Sequence, residues 1–467
     1  MRKRFNKLLY AWMLPTLLWL SPTMIRSQSS SRSASAGMER DFQAAMAAED
    51  RGDLDQAEAL LSKLHAAHPG IFAVDESLGL LYAQRGESSQ ALPLLKAAVH
   101  EQPSSDAAHA NLGAALYSLH RNSEAIAEFQ RAVQLKPSNG QTQQSLGRVL
   151  MEELRPADAA VALTAALRLS PGDADLQLDC VTALLAANRL AEAKKILSKF
   201  ADADHSARAQ ALIGEADEQE KDFSSAARHL TRAVDLEPSE ENAWLLSLEL
   251  LQHWTFDAAE IELKAASAKF PDSIRMRLGL GAAYFGDTKY PQAISVFADL
   301  LESEPENATA AEMLGISCNA VMETISPRCA VLVAYAQAHP ADAKAAAYAA
   351  SFLLAQIKNE QNVELARKLL ERALAANPDL PEAQFQMGVI LQNDLDWKGS
   401  IPYLERAVKL KPDYATAHYR LARAYWRTGR KQDGQAQMEL QKKFASQKQK
   451  DLDQRLRQLT TFIVDVH

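Results

Sequence analysis

The chain has 467 residues, 51 of them Lys or Arg and 59 Asp or Glu, for a formal charge of −8. Hydrophobic residues make up 47% and charged residues 24%, which excludes a disordered chain and a polytopic membrane protein, and the mild acidity lacks the basic excess of a nucleic-acid binder. Three cysteines exclude a disulfide-dense scaffold and any four-cysteine zinc or iron–sulfur site.

Residues 1–37 form a leader unlike the rest. Arg2, Lys3, Arg4 and Lys7 precede an apolar stretch from Leu8 to Leu20, and a Ser-rich segment runs from Ser27 to Ser35. A basic start, a short apolar core and a polar flank make up a secretory signal. The core is short for a spanning helix, which needs ~20 residues. Cleavage fits after Ser27, or behind Ala34-Ser35-Ala36, which has the better small-x-small pattern but lies far from the core. The alternative is an uncleaved membrane anchor. The expectation is export to the periplasm or cell envelope, with membrane contact only through the leader if it stays uncleaved.

Beyond the leader the sequence is periodic. Pro69, Pro103, Pro137 and Pro171 recur every 34 residues, and the series resumes at Pro238, Pro271, Pro305, Pro340, Pro378 and Pro412. Prolines at this spacing read as helix terminators, one per repeat. Ten residues after most of them stands a glycine: Gly79, Gly113, Gly147, Gly281, Gly315 and Gly388. Twelve before the next proline stands Ala57, Ala91, Ala125, Ala159, Ala226, Ala259, Ala293, Ala366 or Ser400, and eight before it a large apolar residue such as Leu95, Phe129, Leu163 or Phe297. Each repeat therefore reads as two short amphipathic helices. The glycine of the first is expected to meet the alanine of the second, letting the axes approach.

These residues resemble the tetratricopeptide repeat, a 34-residue helix–turn–helix. Asn111-Leu112-Gly113, Glu124-Ala125-Ile126 and Ala132-Val133-Gln134-Leu135-Lys136-Pro137 carry the likeness, with Trp244 at the family's Trp position. The resemblance covers about residues 38–448 in about twelve windows. It implies an all-α, right-handed α-α superhelix, a solenoid whose first helices line a concave groove that binds peptide segments. It implies no chemistry and no cofactor. Window 174–206 lacks both glycine and proline, and windows 308–380 are irregular: Pro327 stands where a second helix should begin, and about four extra residues surround Asn359–Asn362. Such irregularities are expected to bend the superhelix, to add a loop, or to divide the array into an N-terminal and a C-terminal half.

The groove is read two residues before each glycine position: Ser77, Asn111, Ser145, Asp179, Leu212, Leu246, Gly279, Met313, Tyr348, Gln386 and Arg420. It passes from polar through apolar to basic, and only Asn111 matches the asparagine ladder by which some members of the family grip peptide backbone. In the last repeat Arg420, Arg423 and Arg427 share a helix face, flanked by Tyr419 and Trp426, a combination suited to an acidic or C-terminal peptide. The alternatives are a solvated basic face, or arginines paired with neighbouring Glu and Asp. Asn111, Tyr419, Arg420, Arg423, Trp426 and Arg427 are the candidate partner-binding residues.

Cys318 and Cys329 fall in the two helices of one window, so after export they could form a disulfide; the alternative is two buried thiols. Cys180, in a Leu-rich context, reads as a core thiol. His65 and His68 sit together at a helix end without a carboxylate or cysteine at ligand spacing, so no metal site is assigned. No zinc-protease, nucleophile-elbow, phosphate-loop or dinucleotide motif occurs. From Gln441 to His467 the chain reads as one helix, its residues 449–467 either capping the last repeat or pairing as a coiled coil through Leu452, Leu456, Leu459, Ile463 and Val466. Leader, repeats and tail occupy every residue, leaving no separate catalytic domain. The expectation is a non-catalytic adaptor for a protein or peptide partner in an envelope assembly. By resemblance this means pilus biogenesis, outer-membrane assembly or secretion; the alternative is a scaffold working through its convex face or tail helix.

Overall fold

The computed structural model describes residues 32–321, 326–356 and 359–445. The apolar core of the leader and the 449–467 tail lie outside these. The described residues are all-α, with helices in consecutive packed pairs and no strand. None is long and apolar enough to cross a membrane.

Contacts divide the chain into two units, one up to Asp222 and one from Phe223 onward. In the first, Arg32–Asp50 pairs with Leu54–Ala67, Phe72–Gln84 with Ser88–Glu101, Asp106–Ser118 with Asn122–Leu135, Gly140–Glu152 with Pro156–Leu169, and Ala174–Ala186 with Leu190–Leu197; Ala207–Gln219 follows. The second opens with Phe223–Leu236. It continues with the pairs Glu240–Gln252 and Phe256–Lys269, Ile274–Gly286 and Tyr290–Ser303, Ala343–Ala355 and Glu360–Ala376, Pro381–Asn393 and Trp397–Leu410, and Ala415–Arg427 and Lys431–Ala445. Between them Ala308–Ala320 is followed by a 3-10 turn, Pro327–Ala330, and the helix Val331–Ala338. Each unit is an α–α solenoid, its stability a sum of neighbour interfaces.

Local chemistry sets each hairpin. Ser105, Asn139, Asp173, Ser206, Ser273, Asn307 and Asp342 cap first helices, each side chain accepting from the backbone N–H three residues on. The turn between the paired helices uses a left-handed residue, glycine at Gly52, Gly86 and Gly429 but His120, Leu154, Trp254 and Leu395 elsewhere. A further device was invisible to the periodicity. Six residues after the proline, His109, Gln143, Gln177, Gln384 and His418 turn a side-chain nitrogen onto that proline's carbonyl, at 2.6–3.1 Å.

Gly79, Gly113, Gly147, Gly281 and Gly388 do meet the second helix closely, the nearest atoms being those of its large residue. A methyl group on Gly113 would lie 2.9 Å from the ring of Phe129, and one on Gly147 or Gly281 2.5 Å from Leu163 or Phe297. Helical side chains lean toward the N-terminus, so the residue one turn beyond the alanine covers that spot.

The repeat after Pro238 is shifted. Its first helix starts two residues after the proline, at Glu240, where others start three after, as Asp106 follows Pro103. The buried small residue is therefore Ser247, the groove position is the half-exposed Leu245 rather than the buried Leu246, and Trp244 stands one residue past the family's Trp position. It packs over Gly279 instead.

The irregular windows resolve individually. Leu190–Leu197 has only 8 residues, and turns replace the missing end of that helix. The extra residues near Asn359 extend a helix instead of adding a loop: Glu360–Ala376 has 17 residues against 14 in Trp397–Leu410, and Asn359 caps it. Cys329 lies in the 3-10 turn started by Pro327, not in the α-helix proper, and is bonded to Cys318 with the Cα atoms 6.1 Å apart. Cys180 is a buried free thiol, pushed up by burial.

Candidate functional site

Four groove positions of the first unit, Ser77, Asn111, Ser145 and Asp179, are polar and partly exposed, but neighbouring repeats already engage Asn111 and Asp179. Asn111 donates to Glu76 Oε1 at 3.1 Å. Glu76 is buried; burial pushes its carboxyl up to about 7, the Asn111 hydrogen bond opposing and the Asp106 charge adding. Asp179 receives Arg148 at 3.0 Å and Arg208 at 2.7 Å. Leu212 is buried.

In the second unit the expected apolar stretch of groove is mostly consumed by packing. Met313 is 2% exposed, Gly279 is covered by Trp244 and Leu263, and Gln386 is buried with its amide donating to Ser351 Oγ at 2.8 Å. Tyr348 rests on Gly315, standing in for a second helix that is short there.

Arg420, Arg423 and Arg427 differ. All three lie on the helix Ala415–Arg427. The ring beside them is Trp397, the first residue of the preceding hairpin's second helix. The guanidinium groups of Arg423 and Arg427 each stand 5.4 Å from the centre of its indole, and Arg423 stands 5.8 Å from the ring of Tyr419. Gln392 donates to the Arg420 carbonyl at 2.8 Å, holding this helix to its neighbour. Burial, and then the charge of Arg423, lower the pKa of the half-buried Arg420.

Among the described residues no carboxylate lies within ion-pair distance of these three arginines, whereas Arg85, Arg148, Arg275, Arg328, Arg367, Arg406 and Arg430 each reach one. A pairing with neighbouring Glu and Asp is therefore not what the described residues contain. Trp426 keeps an exposed ring whose indole packs on Gly434 of the last helix. Trp397 went unread because it sits one repeat earlier. The first residue of a second helix meets the end of the next first helix, as Asn122 meets Glu153 at 2.9 Å, and that neighbour relation would have found it.

Two other clusters are internally neutralised or protein-paired. Asp257, Glu260 and Asp287 converge, but Lys289 stands among them at 3.5, 2.7 and 2.6 Å. His65, read as lacking a carboxylate neighbour, lies 2.5 Å from Asp75 Oδ1, supplied by the next helix.

With this geometry in hand, comparison with known proteins gives consistent matches of one kind. The tetratricopeptide repeat family matches residues 150–216 in one form and residues 42–104, 76–140 and 385–436 in another. No curated protein matches. Among solved structures the chain is similar to Naa15/Naa10 bound to HypK-THB at 16% identity and TM-score 0.37, covering 90% of this chain and 65% of that one. It is similar to pilF of Pseudomonas aeruginosa at 22% identity and TM-score 0.37, covering 45% and 96%. It is also similar to YrrB, a repeat protein with an unusual peptide-binding site, at 21% identity and TM-score 0.36, covering 38% and 93%.

Proposed function

We propose that this chain, with tetratricopeptide repeats at residues 42–140, 150–216 and 385–436, is a non-catalytic adaptor that holds an acidic protein segment against Arg420, Arg423 and Arg427. The observation carrying this reading is the absence of a carboxylate beside these arginines among the described residues. Guanidinium groups sharing an indole repel one another, and an incoming carboxylate supplies the missing counter-charge. Trp397 and Tyr419 hold the forks in place, and an exposed Tyr419 offers a surface to the segment's apolar side chains.

Charge-assisted hydrogen bonds contribute about 1.5–3 kcal/mol each. Arg423→Glu/Arg427→Glu should therefore weaken binding of a fluorescent Glu-rich peptide by at least ~150-fold, and added salt should weaken the native complex. Undiminished binding by the double variant removes the proposal.

The same reading places the adaptor outside the cytosol, in a bacterial periplasm or cell envelope. Its supports are the basic leader with its short apolar core and the Cys318–Cys329 bond, a linkage that persists in oxidising compartments. N-terminal sequencing of the protein from its own cells, together with its release from membranes by salt, tests this. A retained Met1 on a membrane-bound chain would replace export with anchoring.

A further inference from the structure

We infer that the exposed face of the helix Phe256–Lys269 is a homodimer seam, on which a second copy of this chain packs the same helix antiparallel about Ile261. This seam lies on a different helix from the arginine face and does not depend on it.

Trp254, Ala258, Ile261, Ala265 and Ala268 follow one another at steps of four, three, four and three residues, so they share one helix face. All five are exposed, Trp254 by 55% and Ile261 by 72%. Trp254 is the left-handed residue of the turn that leads into the helix. Counted from the same turn position, the four helical places read Gln292, Ser295, Asp299 and Glu302 in Tyr290–Ser303. In Phe223–Leu236 they read Ser225, Arg228, Arg232 and Asp235. The flanking second helices thus put polar residues where a helix meets water, and this one puts an unbroken apolar strip.

The strip is complementary to itself. Trp254 and Ala268 stand seven residues on either side of Ile261. A two-fold axis through Ile261 therefore sets the indole of one copy on Ala268 of the other, and Ala258 against Ala265. The charges agree with this pairing. Near the helix start Asp257, Glu260 and Asp287 surround a single lysine, Lys289, and the Asp257 side chain is 86% exposed. Lys264, one turn past Ile261 on the same flank as Asp257, pairs with Glu260 and keeps 52% of its side chain exposed. Antiparallel packing brings Lys264 of each copy beside Asp257 of the other, as flanking charges do in paired helices. Parallel packing would set Asp257 on Asp257 and Lys264 on Lys264, like charge on like. Large on small and acid on base select the same arrangement, and a second copy of this helix supplies both. A helix of 14 residues is ~21 Å long, and one such face covers less than the ~1,600 Å² of a standard interface. The dimer is therefore a transient one that dissociates on dilution.

Sedimentation of the full chain over a roughly hundredfold range of concentration tests the seam. The average mass should rise toward twice that of the monomer as concentration increases. Ile261→Arg should raise the dissociation constant at least ~100-fold, since each dimer loses two buried isoleucines, and should leave the helical signal unchanged. Val161→Arg should not alter the dimer: Val161 is 64% exposed, but Asp158 and Arg168 interrupt the strip in its helix. Under mild oxidation Ile261→Cys should give a linked dimer and Ala265→Cys should not. A monomer at every concentration overturns the seam, as does a dimer that survives Ile261→Arg or is lost in Val161→Arg. Efficient linking of Ala265→Cys, the mark of parallel packing, overturns it too.

Discussion

A methyl group added to Gly281 would lie 2.5 Å from two atoms of the fully buried Phe297 ring. Helix propensity favours Ala over Gly by about 1 kcal/mol, but overpacking a tight core costs about 1–3 kcal/mol. Gly281→Ala should therefore lose stability in urea unfolding, whereas Gly37→Ala, with open space around it, should lose none. Glu76 gives a second prediction. Its carboxyl is raised to about 7 from 4.5, so its contribution to stability is complete below the unfolded value and disappears as pH rises to the folded one. Glu76→Gln should remove that decline, on the order of 2–3 kcal/mol, seen by comparing urea midpoints at pH 5 and pH 8. At this scale the sequence was legible where periodicity fixed the phase, as with Gly113 and Phe129. It was not legible where one residue was missing from a loop, so that Leu246 stood in for Leu245. Nor did periodicity single out Asp75, whose partner His65 lies on another helix.

Helix length carries the irregularities. The prolines end second helices as their spacing implied, because the ring fixes φ and removes a donor. The insertion at Asn359 was visible, but its placement was not: Asn359 is a capping residue, and capping lets the added residues continue the helix. In the window with the short helix Val331–Ala338, the Cys318–Cys329 bond closes a short loop, with 11 residues of sequence separation. Closure of a loop of that size contributes about 2–3 kcal/mol. Cys318→Ser/Cys329→Ser should lower unfolding stability by that amount. Treatment of the native protein with reductant should match it, and an unchanged midpoint would show that the link contributes nothing.

For the molecule as a whole, a length suited to about three globular domains at ~150 residues each is spent on two units of stacked hairpins. The net charge of −8 conceals a basic face on Ala415–Arg427, one that the helical spacing of its arginines exposed but whose aromatic support, Trp397, lies a repeat away. Reversing charge at Arg423 and Arg427 should leave the helical signal unchanged and lower unfolding stability only by the lost contacts with Trp397, about 0.5–1 kcal/mol each. The central claim is that this face holds an acidic segment of a partner. Crosslinking in the cells that make the protein, followed by mass spectrometry, tests it most directly. The account predicts partner peptides rich in Asp and Glu joined to residues around Trp397 and Tyr419, and lost in Arg423→Glu/Arg427→Glu. Partner crosslinks confined to second helices away from Trp397, or unchanged in the double variant, would contradict it.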